Sequence, residues 1–191
     1  MPRRLGQYPS HPKVVTLYFG WNDHWKAMGL TDPEVTSADH VMGLAHVSRL
    51  MQLWLKLETN VAARRVPAPN RVPLSRYEDN LRHLVAEARA AAIVPVLITA
   101  PSYHQQGHEP PYLANRHLRA LNELVPLHTA YVEATRLVAR ETGAPICDAA
   151  AGFAALPEPR RGYFQKDGIH LSDAGDAEMA HELTRCLMTV H

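Results

Sequence analysis

Cysteine is nearly absent from this sequence: 191 residues carry only two, Cys147 and Cys186. That excludes a disulfide scaffold and a four-cysteine zinc site, and leaves room for one bridge. An excess of either charge is also missing, since 20 Lys+Arg stand against 19 Asp+Glu for a formal net charge of +1. Nothing in that balance recruits nucleic acid or an anionic membrane surface. Long apolar runs are lacking too. No stretch approaches the ~18 residues of a membrane span, and Met1 to Lys13 has no apolar core of the kind a secretory signal needs. As written, the chain reads as cytoplasmic; an N-terminus longer than this one would leave the compartment open. There is no internal repeat and no low-complexity tract. What is present is an ordinary globular composition, 46% apolar and 20% charged, in a length that suits one domain, 1–191.

The chain alternates strand and helix signals. Val14-Val15-Thr16-Leu17-Tyr18-Phe19 is an unbroken β-prone run closed by Gly20, the pattern of a parallel strand covered on both faces. An insertion over 24–72 follows, within which apolar residues at helical spacing predict an amphipathic helix from Ser37 to Ala62. Ser75 and Glu78 have capping-box spacing and predict a helix start, with Leu81, Leu84, Val85, Ala88 and Ala91 buried. Pro95 should stop that helix and open the strand Val96 to Ala100. The loop from Pro101 to Pro111 is too broken for regular structure. A helix from Val125 to Glu141 should end at Gly143, followed by a short strand from Ala144 to Asp148. Ser172 should cap a last helix that buries Ala177, Ala180, Leu183 and Leu187. This alternation predicts an α/β fold with a parallel sheet.

Ligands of such sheets bind beyond the carboxyl ends of the strands, and three segments meet that condition. Gly20-Trp21-Asn22-Asp23 leaves the first strand, where glycine permits a sharp exit and Asn22 offers an amide donor; the same residues are also ordinary turn chemistry. Ser102-Tyr103-His104 follows the second strand as a rim loop, where Ser102 stands at a plausible strand end but reads foremost as a loop cap. Asp167-Gly168-Ile169-His170 follows the last strand. A carboxylate three residues before an imidazole can hold one ring nitrogen and leave the other as a general base, although an Asp-Gly turn beside a surface histidine has the same spelling. Trp21 and Trp25 flank Asn22 and could either wall a site or pack the insertion onto the sheet. His104 and His108 have the spacing of two ligands on one helical face, but Gly107 and Pro110 argue against a helix there, and no metal or other cofactor is expected. His40, His46, His83 and His117 fall on expected helix surfaces, and Cys147 reads as a small buried hydrophobe.

Taken together, Gly20-x-Asn22-Asp23 and Asp167-x-x-His170, with the helix–strand pairs 77–101 and 131–148 between them, resemble the SGNH/GDSL hydrolase superfamily. The resemblance covers nearly the whole chain outside the insertion. It implies a flavodoxin-like three-layer α/β/α fold and cofactor-free hydrolysis of esters by Ser-His-Asp acyl transfer. Asn22 would donate to the oxyanion, His170 would be general base and then acid, and Asp167 would orient it. Gly20, Trp21, Asp23, Trp25 and Ser102 would border the substrate, a small-molecule ester or an acylated carbohydrate.

The pattern departs from the family at the front. The Gly-Asp-Ser nucleophile block and the second block with its oxyanion glycine have no counterpart before Val14, and Ser10 lacks a preceding strand and a following helix to hold it. The expectation is a sheet truncated to about three strands and a site catalytically incomplete as written. The alternative is a non-catalytic relative that binds a ligand or a partner through the same cleft. Without the family's first strand, the run 14–19 becomes an apolar edge, expected to be covered by a second copy or by another chain.

Overall fold

The computed structural model describes residues 12–27, 31 and 69–190. The expected helix from Ser37 to Ala62, most of the insertion 24–72, and Ser10, His40 and His46 lie outside the described residues. Within them, β1 (Val14–Tyr18), β2 (Val94–Ile98) and β3 (Ile146–Cys147) form one parallel sheet in the order β1-β2-β3. The helices are α1 (Leu74–Ala90), α2 (Leu113–Arg116), α3 (Leu124–Thr142), α4 (Ala149–Ala154) and α5 (Asp173–Leu187), with 3-10 turns at Leu121–Glu123 and Arg160–Tyr163. The α/β class and the three-stranded parallel sheet are as the sequence implies.

Strand β2 is the axis of the molecule, because its alternate side chains face two different helical layers. Leu97 points into a core built with Leu81 and Val85 of α1 and Tyr131, Ala134 and Val138 of α3. Val96 and Ile98 point the other way, onto Cys147, Ala149 and the α5 residues Met179, Leu183, Cys186 and Leu187. These are the three layers the resemblance implies. Strand β1 contributes Leu17 and Val15 to the α1/α3 side only. On its other face Val14, Thr16 and Tyr18 are exposed, and Phe19 just beyond is 47% exposed. The reading of a strand covered on both faces is therefore corrected. The α5 layer covers β2 and β3 and does not reach β1, which leaves an edge strand with alternating burial.

Several local expectations shift for identifiable reasons. Ser75 is not the cap of α1. The helix starts at Leu74 behind Pro73, whose carbonyl accepts the Tyr77 N–H at 2.9 Å, and no side chain caps it. Pro95 lies inside β2 rather than before it. Val94 N–H donates toward β1, to the Lys13 carbonyl, while Leu97 N–H makes the first bond toward β3, to the Pro145 carbonyl. The missing N–H of Pro95 thus falls where β3 has not yet begun, and costs no ladder bond. In α5, Ala177 and Ala180 are exposed instead of buried. The register is set at two points: Gly175 is buried against the Tyr163 carbonyl, and Cys186 is bonded to Cys147 across a Cα–Cα distance of 5.6 Å. Cys147 is buried as expected, but as half of a disulfide.

The end of β3 is tied down by charge. Asp148 caps α4 by accepting from Ala151 N–H, accepts from Thr99 Oγ1 at 2.8 Å, and receives a bidentate grip from the Arg136 Nε and Nη2 groups at 2.9 and 2.8 Å. Burial alone would raise the Asp148 pKa, but these donors outweigh it and hold it below the ordinary carboxylate range.

Candidate active site

The turn after β1 is fixed by its own residues. Gly20 has φ 129°, a region that glycine enters freely, and its N–H donates to Asp23 Oδ2 at 2.9 Å. The segment then threads between two others. Lys26 N–H donates to the His117 carbonyl, Ala27 N–H to Pro69, Arg71 N–H to Trp25, and Val72 N–H to Asp23, all within 2.9 Å. Asp23 therefore closes the turn, and Asn22 stands exposed at its tip.

The opposite wall is a tight ribbon before α5. Phe164 and Leu171 bridge in antiparallel fashion, and Gln165 N–H donates to the His170 carbonyl at 2.7 Å. Within it, Asp167 Oδ1 accepts the backbone N–H groups of Ile169 and His170, at 2.9 and 3.0 Å, while Oδ2 lies 2.6 Å from His170 Nδ1. A carboxylate only accepts, so Nδ1 carries the ring proton and Nε2 keeps a free lone pair. Burial acts to raise the Asp167 pKa, but the His170 bond and the two backbone bonds dominate and lower it. The carboxylate thus remains charged behind the ring.

Asn22, Asp167 and His170 border one cleft of about 500 Å³. Trp21, Trp25, Tyr18 and Tyr112 supply aromatic walls, with His117 and Ile169 between them. Three expected positions fall elsewhere, and one of them is Asp23, which closes the turn without lining the cleft. Gly20 is buried in the turn without lining the cleft, and Ser102 lines a separate cavity of about 240 Å³ with His128 and Arg136. Among the described serines, Ser102 is bonded to His104, Ser172 caps α5 and bonds the Gly162 carbonyl, and Ser75 is exposed on α1. None of them hydrogen-bonds to His170.

Sequence reasoning missed the buried histidines that pack behind Trp21. His24 and His128 are buried, and Trp21 stacks on His128 with ring centroids 4.0 Å apart. The only hint lay in two isolated histidines on apolar helical or loop positions, which usually read as solvated. His117, expected on a helix surface, lies against Trp25 at 5.0 Å in the cleft wall. Among the described residues there is no group of three or more His, Cys, Asp or Glu side chains arranged to hold a metal ion, and no helix is long and apolar enough to cross a membrane.

Comparison with known proteins agrees with this architecture. The fold is similar to that of a lipase/acylhydrolase from Enterococcus faecalis, with a TM-score of 0.52 at 16% identity, over 91% of this chain and 60% of that one. A variant of an acetyl-xylooligosaccharide esterase from Geobacillus gives a TM-score of 0.49 at 20% identity, covering 91% of this chain and 58% of that chain. A GDSL-like lipase from Bacteroides thetaiotaomicron gives 0.46 at 13% identity, covering 63% and 55%. This chain therefore spans less than two thirds of the length of each of these proteins. Among curated proteins nothing matches it. The sequence matches the GDSL-like Lipase/Acylhydrolase family over residues 1–177. That match takes in both the Asn22 turn and the Asp167–His170 turn, and the chain belongs to this family.

Proposed function

We propose that the protein acts on carboxylic esters by acyl transfer at the Asn22–His170 cleft. His170 Nε2 would take the proton of a nucleophilic hydroxyl, which none of the described serines supplies, as its oxygen bonds to the acyl carbon, and would return that proton to the alcohol as the ester bond breaks; water would then release the acyl group from that oxygen in the same way. Asp167 would hold the ring in the required tautomer and stabilise the imidazolium. The Asn22 side-chain amide would donate to the carbonyl oxygen as it becomes an oxyanion, a contribution of ~2.7–4 kcal/mol in transition-state stabilisation where such donors have been removed. The aromatic walls suit a small acyl group or the face of a sugar ring, so the substrate class is a small-molecule ester or an acylated carbohydrate. The observation that supports the reading most is that the carboxylate-backed imidazole and the amide border the same cleft.

A second reading, a ligand-binding relative without turnover, is favoured by one observation: no described serine bonds to His170. Hydrolysis of 4-nitrophenyl acetate by the protein and by His170→Ala decides between them. His170-dependent turnover supports the hydrolase. Equal rates remove His170 from any catalytic part, and the absence of turnover together with saturable binding of an acetylated sugar supports the binder.

A further inference from the structure

The loop after β2 carries contacts that the chemistry above does not use. His104 Nε2 lies 2.8 Å from the Asp167 carbonyl, and Nδ1 lies 3.2 Å from Ser102 Oγ. A carbonyl only accepts, so Nε2 carries the proton. Nδ1 is then a bare acceptor, and the Ser102 hydroxyl must donate to it. Ser102 Oγ in turn accepts the His104 backbone N–H at 3.1 Å. Burial lowers the His104 pKa more than its contact with Asp167 raises it, which keeps the ring neutral and these roles intact at neutral pH. Two more contacts close the interface. Tyr103 N–H donates to the Gly168 carbonyl at 3.2 Å. Gly168 itself has φ 70°, and a Cβ there would stand 3.0 Å from His104 Nε2.

We infer that His104 is a positioning residue: its Nε2–H grips the Asp167 carbonyl and so holds the turn that presents the Asp167 carboxylate to His170 Nδ1. The glycine between Asp167 and His170 then has two reasons, its left-handed backbone and the imidazole pressed against it. Ser102 and His104 do not read as a nucleophile and its base, because Ser102 borders a cavity that excludes Asn22. Ser102 serves instead to fix the His104 tautomer. The catalytic consequence rests on the hydrolase reading; the geometric one does not.

Imidazole nitrogen–proton spectra of the 15N-labelled full chain at neutral pH test it, because they report each histidine's tautomer without turnover. In the parent, His170 should be mainly the Nδ1–H form. His104→Ala should move it several-fold toward the Nε2–H form that a free imidazole prefers, while His104→Gln, whose amide can donate to the same carbonyl, should keep the parental ratio within about twofold. Amide dispersion shows whether each variant is folded. Should His104→Ala not fold, His104→Phe, which fills the space of the ring but cannot donate to the Asp167 carbonyl, takes its place and should shift the His170 ratio in the same direction. An unchanged His170 ratio in the folded variant overturns the inference. If esters are hydrolysed, His104→Ala should lower kcat about tenfold at nearly constant KM. A parent protein that hydrolyses no ester sinks the hydrolase reading and leaves the tautomer ratio to judge this one.

Discussion

The imidazole of His128 lies flat on the indole of Trp21, with centroids 4.0 Å apart and planes 16° from parallel. Trp21 lines the cleft and precedes Asn22, so this stack holds the residue next to the proposed oxyanion donor. Both rings are also held from the end of β2: Trp21 Nε1 donates to the Pro101 carbonyl at 3.2 Å and His128 Nε2 to the Ala100 carbonyl at 2.9 Å. With its Nε2 proton spent there, His128 Nδ1 accepts from His24 Nε2 at 3.3 Å. His24 Nδ1 is then a buried lone pair without a hydrogen bond.

That chain of neutral rings predicts acid sensitivity. Burial, together with the neighbouring His128, pushes His24 down to about 3; burial holds His128 at about 4 against the raising effect of its bond to Ala100. The unfolded chain protonates both near ~6.5, so below that pH the unfolded state binds more protons than the native one. Stability should therefore be full above pH ~6.5 and fall as pH drops toward the folded values, by up to ~1.4 kcal/mol per pH unit for each ring. Urea unfolding between pH ~7.5 and ~4.5 measures this slope, and His128→Gln should shrink it. A profile that is flat, or one that declines as pH rises, contradicts the account.

At the carboxylate, Asp167→Asn should keep the fold and abolish most turnover. The amide can donate as well as accept, so His170 is no longer confined to the Nδ1–H tautomer; in a triad of this geometry the loss in kcat is on the order of 10⁴. Asn22→Ala should cost about 10²–10³ with little change in KM, because the amide is needed only once charge develops. Steady-state kinetics on a short-chain ester check both, and a KM effect without a kcat effect would place Asn22 in ground-state binding instead.

How much of this was legible in the sequence depends on how local the cause was. The Asn22 turn and the Asp167–His170 pair are short-range constructions, made of a glycine, a carboxylate and residues within three positions, and the sequence shows them directly. The Gly143 stop of α3 and the Ser172 cap of α5 are local for the same reason. What escaped was set at long range. Nothing near His128 says that Trp21 will stack on it from 107 positions away, nor does the Cys147 strand announce a partner 39 residues on. Strand β1 has the composition of a buried strand, but its second face is exposed, because the α5 cluster packs on β2 and β3.

The Cys147–Cys186 bridge joins β3 to the far end of α5. Because α5 is otherwise held mostly by partly buried side chains, the bridge should matter to it. Closing a loop with a separation of 39 restricts the unfolded chain, and Cys186→Ala should lower stability by about 2–4 kcal/mol. Unfolding midpoints with and without a reductant measure the same quantity. A Cys186→Ala protein as stable as its parent would mean that α5 is held by packing alone.

Gly175 links stability to the site. It is buried in the first turn of α5, and a Cβ there would stand 1.9 Å from the Tyr163 carbonyl oxygen, a backbone atom that cannot rotate away. That same carbonyl accepts the Ser172 N–H at 3.1 Å, which closes the ribbon carrying Asp167 and His170. Gly175→Ala must therefore push α5 off the ribbon or displace Tyr163. Overpacking of this kind costs ~1–3 kcal/mol, and here the strain falls on the turn that holds the imidazole. The expected result is a lower unfolding midpoint together with a fall in kcat. Gly162→Ala is the control, because a Cβ at Gly162 meets nothing within 4 Å. If both substitutions leave the midpoint and the rate alike, the contact between α5 and Tyr163 is not what seats His170.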